Sequence, residues 1–173
     1  FLYELCYGCH IYFLTRMPSP KIILQAFAEV KPKLVIAVPL IIEKIVKKNV
    51  LPKLETPTMK FLMRVPLLND KIKAKVREQM MAAFGGEFYQ IIVGGAAFNQ
   101  EIEAFLRSIN FPYTVGYGMT ECGPIISYED WVNFKAGSCG KSAPRMETKI
   151  LSVDPQNVPG EIVTRGDNVM LGY

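Results

Sequence analysis

The sequence predicts an α/β fold in which a parallel sheet is flanked by helices and followed by a small β subdomain. Strand-like apolar runs alternate with helical stripes along residues 1–128, the pattern of parallel α/β architecture. Two of those runs end directly in glycine clusters, at Gly94-Gly95 and at Gly116. After Tyr128 the helical period stops, and short strands alternate with Asp154-Pro155 and Pro159-Gly160 turns. The expected units are therefore an α/β subdomain at 1–128 and a β-rich subdomain at 129–173.

Taken in order, His10 to Leu14 reads as a buried strand. Ser19-Pro20 is a helix entry, with serine as N-cap and proline in the first helical position. Ile22, Ile23, Ala26, Phe27 and Val30 form the apolar face of that helix. Lys33 to Val38 is a second strand, ended by Pro39. The next helix carries Ile41, Ile42, Ile45 and Val46 on one side and Lys44, Lys47 and Lys48 on the other. Pro52 and Pro57 mark an irregular connection. A long helix is expected from Asn69 to Phe84, with Ile72, Val76 and Met80 at helical spacing and its lysines on a solvated face. Gly85-Gly86 ends it.

Phe88 to Val93 then reads as a fully buried strand running into Gly94-Gly95-Ala96-Ala97. Asn99 caps a helix with the stripe Ile102, Phe105, Leu106 and Ile109, and Glu101 and Glu103 suit the positive end of its dipole. Asn110 closes that helix. Tyr113 to Val115 is a short strand that enters Gly116-Tyr117-Gly118-Met119-Thr120-Glu121. Thr148 to Val153 and Glu161 to Arg165 are the strands expected in the β-rich part.

The bulk composition narrows the class without naming a partner. At 173 residues, half of them apolar and 21% charged, the chain suits an ordinary globular core. Its net charge of +4 fits an anionic ligand or basic solvated helix faces equally, and nothing points to nucleic acid. The longest apolar run, Leu34 to Ile42, falls well short of the roughly 20 residues of a spanning helix and contains Pro39.

Cys6-Tyr7-Gly8-Cys9-His10 matches a haem-attachment pattern, and C-x-x-C alone can serve zinc or redox chemistry. His10 is the only histidine, and Cys122 and Cys139 lack paired spacing. The reading preferred is a packed apolar turn with two buried thiols in a reducing compartment.

Chemistry concentrates at the glycine clusters. In an open parallel sheet ligands sit beyond the carboxyl ends of the strands, so both clusters fall on one edge. Gly94-Gly95 lets a flat ring approach the main chain, and Tyr117 offers an aromatic face. Thr120 supplies a hydroxyl for a phosphate, and Glu121 a hard carboxylate suited to Mg²⁺. On residues alone this loop serves a nucleotide triphosphate, or Glu121 merely caps the segment that follows.

The wider pattern resembles the adenylate-forming superfamily of acyl-CoA synthetases, luciferases and peptide-synthetase adenylation domains. Gly116 followed by Tyr117-Gly118-Met119-Thr120-Glu121 resembles its Y-G-x-T-E motif, and Gly94-Gly95-Ala96 its adenine-binding turn. Gly137-Ser138-Cys139-Gly140-Lys141 is similar to G-x-x-G-x, and Gly160 to Gly166 with Gly172-Tyr173 is similar to G-E-[IL]-x-x-[RK]-G…G-Y. Val38-Pro39…Glu43-Lys44-Ile45 resembles the long-chain acyl-CoA synthetase branch. The chain departs from the pattern at Asp167, where proline is common, and at Met146, where glycine is often seen.

The resemblance implies an internal piece of the large N-terminal domain of a long-chain fatty acid–CoA ligase. An amino-acid or aryl-acid adenylating enzyme, or a non-catalytic nucleotide-binding module, stands as the alternative. Gly94, Gly95 and Ala96 would line one side of adenine, with Tyr117 stacked on the other. Gly116, Gly118 and Met119 would bring the loop to the nucleotide, Thr120 would bind a phosphate, and Glu121 would hold Mg²⁺. ATP, AMP, Mg²⁺, CoA and a fatty acid are the implied small-molecule partners. The phosphate loop is expected upstream, and the ribose-binding aspartate, the hinge and the catalytic lysine downstream. The piece alone is expected to be inactive and to self-associate. The expected location is cytoplasmic, with room for peripheral contact at the inner membrane face.

Overall fold

The computed structural model describes residues 5–15 and 19–173. Helix α1 (Pro20–Val30) starts where Ser19 Oγ accepts the Ile22 N–H, and it stops at Lys31 in the left-handed region. Strand β1 (Leu34–Ala37) follows. Helix α2 (Pro39–Asn49) uses Pro39 in its first turn, where the missing N–H costs no helical bond. The segment around Pro52 and Pro57, expected to be irregular, is two short helices: α3 (Leu51–Leu54) and α4 (Pro57–Leu62). Each proline sits in a first turn, so it starts a helix rather than breaking one. Helix α5 (Pro66–Ala83) is the long helix, and it begins three residues before the expected Asn69.

Strand β2 (Gln90–Val93), helix α6 (Gln100–Ser108) and strand β3 (Tyr113–Val115) complete the α/β layer. Asn99 Oδ1 caps α6 by accepting from the Glu101 and Ile102 N–H groups. At the other end Asn110 adopts φ 52°, and the Phe111 N–H returns to the Leu106 carbonyl, closing the helix with a left-handed residue.

The strands lie in the order β1-β2-β3, all parallel, with Ala37 opposite Val93 and Val93 opposite Val115. One face of this sheet is covered. Val35, Ile91, Val93, Tyr113 and Val115 pack with Ile42, Ile45 and Val46 of α2, Met80 of α5 and Ile102 and Leu106 of α6. Phe84, Phe88 and Phe111 join the same core near the starts of β2 and β3. The opposite face is bare at its β1 end, where Leu34 and Ile36 are exposed. Further along, that face is covered by the chain beyond β3: Thr114 Oγ1 donates to the Glu129 carbonyl at 2.8 Å, and the Gln90 amide donates to the Tyr128 hydroxyl.

Two antiparallel sheets follow. Strands β4 (Tyr117–Gly118), β5 (Ile125–Tyr128) and β6 (Lys141–Ser142) form the first. It joins residues on both sides of position 128, because Tyr128 pairs with Lys141. Strands β7 (Met146–Leu151) and β8 (Glu161–Gly166) form a two-stranded ribbon with Met146 opposite Gly166. A buried carboxylate ties the loop before β6 to the α/β layer: Glu103 Oε1 accepts from the Gly137 N–H at 3.1 Å and from the Tyr113 hydroxyl at 3.4 Å. Burial, and then the Glu103 charge, push the Tyr113 hydroxyl well above its ordinary pKa, so it stays a donor.

Two expectations fail at the start of the described chain. His10 to Leu14 is not a strand but irregular chain, and Tyr12, Phe13 and Leu14 are exposed. The run has strand composition, but among the described residues β1 pairs with β2 alone. Cys6 and Cys9 are exposed rather than buried, and all four cysteines are free thiols.

Candidate nucleotide site

The two glycine clusters meet. Parallel pairing brings the ends of β2 and β3 level, and the Gly116 N–H donates to the Val93 carbonyl at 2.9 Å. A Cβ on Gly94 would lie 3.5 Å from the Gly116 carbonyl oxygen, so the two turns touch along their main chains. Gly95 takes φ +85°, a conformation natural to glycine, and turns the chain toward Ala96 and Ala97 at an exposed rim. The adjacency follows from topology: strands β2 and β3 are neighbours, so the loops that leave them are neighbours as well.

Residues 116–128 form a hairpin. Strand β4 leads into a 3₁₀ turn (Thr120–Cys122), and Gly123-Pro124, joined by a cis peptide, returns the chain to β5. The tip is tied by the Met119 N–H on the Pro124 carbonyl at 2.8 Å, Cys122 N–H on Met119 at 3.0 Å and Gly123 N–H on Thr120 at 3.2 Å. Cys122 anchors it from below, buried with Ile126 and Met146, and Tyr117 packs half-buried against the same cluster. Thr120 and Glu121 ride on the outer side of the turn, Thr120 exposed and Glu121 partly so.

Gly118 has a structural duty of its own. A Cβ there would stand 1.9 Å from the Pro124 carbonyl oxygen, a backbone atom that cannot swing away. Gly118→Ala is therefore expected to cost about 1–3 kcal/mol through a forced opening of the hairpin. Chemical denaturation of wild type and variant checks it; equal midpoints would mean that the tip adjusts freely.

Glu121 has a neutral partner. The Tyr173 hydroxyl donates to Glu121 Oε1 at 2.6 Å, and no ion pair involves this carboxylate among the described residues. That hydrogen bond, followed by one from a backbone N–H, holds the Glu121 pKa below the ordinary carboxylate value. The side chain is thus an anion near neutral pH, exposed enough for a cation to reach. Among the described residues no cluster of three or more His, Cys, Asp or Glu side chains could hold a metal unaided. A single carboxylate fits Mg²⁺, which keeps several waters and takes further oxygens from substrate phosphates.

Gly94, Gly116, Tyr117, Gly118, Met119, Thr120 and Glu121 thus lie on one continuous stretch of edge and hairpin, with Gly95 and Ala96 on the adjoining turn. Sequence reasoning did not reach Asn168. Its side-chain amide donates to the Cys122 carbonyl and to the Ile125 carbonyl, the latter at 3.2 Å. No local pattern marks such a contact, because its partners are main-chain atoms some forty residues away.

Glu43 also finds its role here. Its Oε1 accepts the Asn99 N–H at 3.3 Å, linking α2 to the N-cap of α6.

Comparison with known proteins bears on the family and the fold. Residues 1–173 match the family described as AMP-binding enzyme. The chain is 38% identical over 96 residues to 4-coumarate:CoA ligase 1 of Petunia hybrida, covering 48% of this chain and 18% of that protein. It is 33% identical over 123 residues to 4-coumarate–CoA ligase 1 of Oryza sativa subsp. japonica, covering 62% of this chain and 22% of that one. The chain thus spans about a fifth of the curated relatives it matches. Among solved structures, O-succinylbenzoate coenzyme A synthetase of Bacillus subtilis in complex with ATP and magnesium ion aligns with TM-score 0.65 at 21% identity. That match covers 99% of this chain and 30% of the other. A benzoate CoA ligase from Burkholderia xenovorans LB400 aligns with TM-score 0.66 at 19% identity, covering 98% and 30%. At these identities the structural likeness speaks for the fold, the N-terminal part of an acyl-CoA synthetase-like domain with a small sheet subdomain after it.

Proposed function

This chain belongs to the AMP-binding enzyme family, and from that premise we propose that it is the nucleotide-gripping part of an ATP-dependent acid–CoA ligase. In the proposed reaction a carboxylate oxygen attacks the α-phosphorus of ATP, giving acyl-AMP and pyrophosphate. The thiol of CoA then takes the acyl group, releasing AMP. The observation that supports this most is the meeting of the Gly94 and Gly116 turns beside a hairpin carrying Tyr117, Thr120 and Glu121.

The roles follow from chemistry and position. Gly94, Gly95 and Ala96 line one side of the adenine and Tyr117 stacks on the other, its ring steadied by the Cys122, Ile126 and Met146 cluster. Gly116, Gly118 and Met119 shape the bend that brings the main chain to the nucleotide. Thr120 donates its hydroxyl to a phosphate oxygen. Glu121 would hold Mg²⁺, which when bound neutralises phosphate charge. Such an in-line transfer needs positioning and charge neutralisation more than a protein nucleophile. The remaining groups, a phosphate loop and a catalytic lysine, belong to other parts of the whole protein, so residues 1–173 alone are inactive on this reading. The bare Leu34 and Ile36 face supports self-association of the isolated piece. Among the described residues no helix is long and apolar enough to cross a membrane; a cytoplasmic location with room for peripheral membrane contact is part of the proposal.

For the acid, the Val38-Pro39…Glu43-Lys44-Ile45 stretch supports a long-chain fatty acid. A second reading, an aryl acid, is favoured by the names of the relatives, which are ligases of 4-coumarate and benzoate. The structural duty of Glu43 at the α6 cap weakens its use as a mark of substrate. Pyrophosphate exchange by the whole protein against palmitate, 4-coumarate, benzoate and amino acids decides. Exchange with palmitate above the aryl acids supports the fatty-acid reading, and the reverse order the aryl reading. Exchange with amino acids alone would overturn the CoA-ligase proposal.

A further inference from the structure

We propose that residues 167–173 are a strap that positions the tip of the nucleotide hairpin, with Asn168 and Tyr173 as its positioning residues. The inference rests on the reading of Glu121 as a magnesium ligand and adds to it how that side chain is held. The strap begins at a fixed point: Asp167 Oδ2 accepts from Arg145 Nη2 at 2.7 Å and from Nε at 3.3 Å. Asn168 then brackets Gly123-Pro124 by donating to the carbonyls on either side, those of Cys122 and Ile125. The Met170 N–H donates to the Glu121 carbonyl at 2.8 Å, and the Tyr173 hydroxyl reaches the Glu121 carboxylate.

The hairpin needs this support. Strand β4 has two residues, its pairing with β5 is interrupted by a register shift, and the turn between them is a single 3₁₀ turn. A ladder so short adds little to the three main-chain bonds and the buried Cys122 that hold the tip, and any residual tilt would move the carboxylate of Glu121. The strap fixes both the main chain of the tip and one oxygen of the side chain. Its donors at Asn168 and Tyr173 are neutral, and the one cation nearby in the sequence of contacts, Arg145, is paired with Asp167. Neutral donors orient a carboxylate without cancelling its charge, whereas a lysine or arginine would compete with an arriving cation. The Tyr173 contact is to Oε1 of the Glu121 carboxylate.

The test uses the whole protein with two variants. Asn168→Asp keeps the size of the side chain and removes both donors; Tyr173→Phe removes one hydroxyl from an exposed ring. Amide hydrogen exchange is followed by NMR, and Mn²⁺ binding in the presence of a non-hydrolysable ATP analogue by electron paramagnetic resonance. Asn168→Asp is expected to speed exchange at Met170 and Cys122 about tenfold while Ile91 and Gly116 in the parallel sheet keep their rates. It is also expected to weaken Mn²⁺ binding about fivefold, and Tyr173→Phe to weaken it about threefold with exchange unchanged. Unchanged exchange and unchanged Mn²⁺ binding in both variants would overturn the strap. Glu121→Gln separates the two ideas. If it leaves Mn²⁺ binding intact, the metal reading is wrong and amide exchange alone judges the strap. If it abolishes binding while the strap variants bind normally, the metal reading stands and the strap does not.

Discussion

Replacing Glu121 with Gln in the whole protein is expected to slow adenylate formation by about 100-fold or more, read as pyrophosphate exchange. The amide keeps the size of the carboxylate and can still accept from Tyr173, so the hairpin is expected to stay folded. What disappears is the negative charge that would hold Mg²⁺ against the phosphates. Glu121 has a pKa below its ordinary value because of the Tyr173 hydroxyl and a backbone N–H. A lowered carboxylate contributes its interaction above the unfolded pKa and loses it as pH falls through the folded one. The charge is therefore complete across neutral pH, and any loss of activity near neutrality has to come from another group. A variant rate within about threefold of wild type would place the metal elsewhere.

Phe84→Ala is expected to destabilise the chain by about 3–5 kcal/mol, a large share of the roughly 5–15 kcal/mol of a typical domain. The Phe84 ring is completely buried. It meets Phe27 of α1 at a centroid distance of 5.3 Å, and Phe88 and Phe111, which precede β2 and β3, both at 5.7 Å. One side chain thus joins two helices to the entry ends of two strands. The cavity cannot collapse without moving one of those elements, which places the cost at the upper end for an aromatic deletion. Urea unfolding checks it, and a loss under about 1 kcal/mol would show that the cluster closes over the gap. Nucleotide binding by the fraction still folded should change little, because the ring sits at the strand ends opposite to the Gly94 and Gly116 turns.

Much of the α/β layer is legible in the chain because its signals are local. Ser19 with Pro20, and Asn99 with the Ile102 to Ile109 stripe, each satisfy or bury groups within one helix, and both helices form as read. The neighbourhood of Gly94 and Gly116 is legible for a different reason, since parallel pairing of successive buried strands brings their exits together. Illegible elements are those decided by distant partners. His10 to Leu14 has the residues of a strand, yet among the described residues it joins none of the three sheets. Strands β4 and β6 have two residues each, too few for any period to register. Gly118 reads as a nucleotide-facing glycine, yet the atom that demands it is the Pro124 carbonyl. Asn168 reads as an ordinary turn residue until its two acceptors are seen.

The two kinds of sheet in this chain differ in how far apart along the sequence their partners lie. The β7–β8 ribbon closes over residues 152–160, whereas β1 and β2 are separated by residues 38–89 and everything folded from them. Closing the longer loop costs more chain entropy, and it must be met before any β1–β2 contact gives a return. The ribbon is thus expected to zip within microseconds, and the β1–β2 pairing to form last, after α2 to α5 have gathered. A refolding chain would then carry a finished β7–β8 ribbon while its parallel sheet still lacked β1, and faults in folding would strike that sheet before they strike the ribbon.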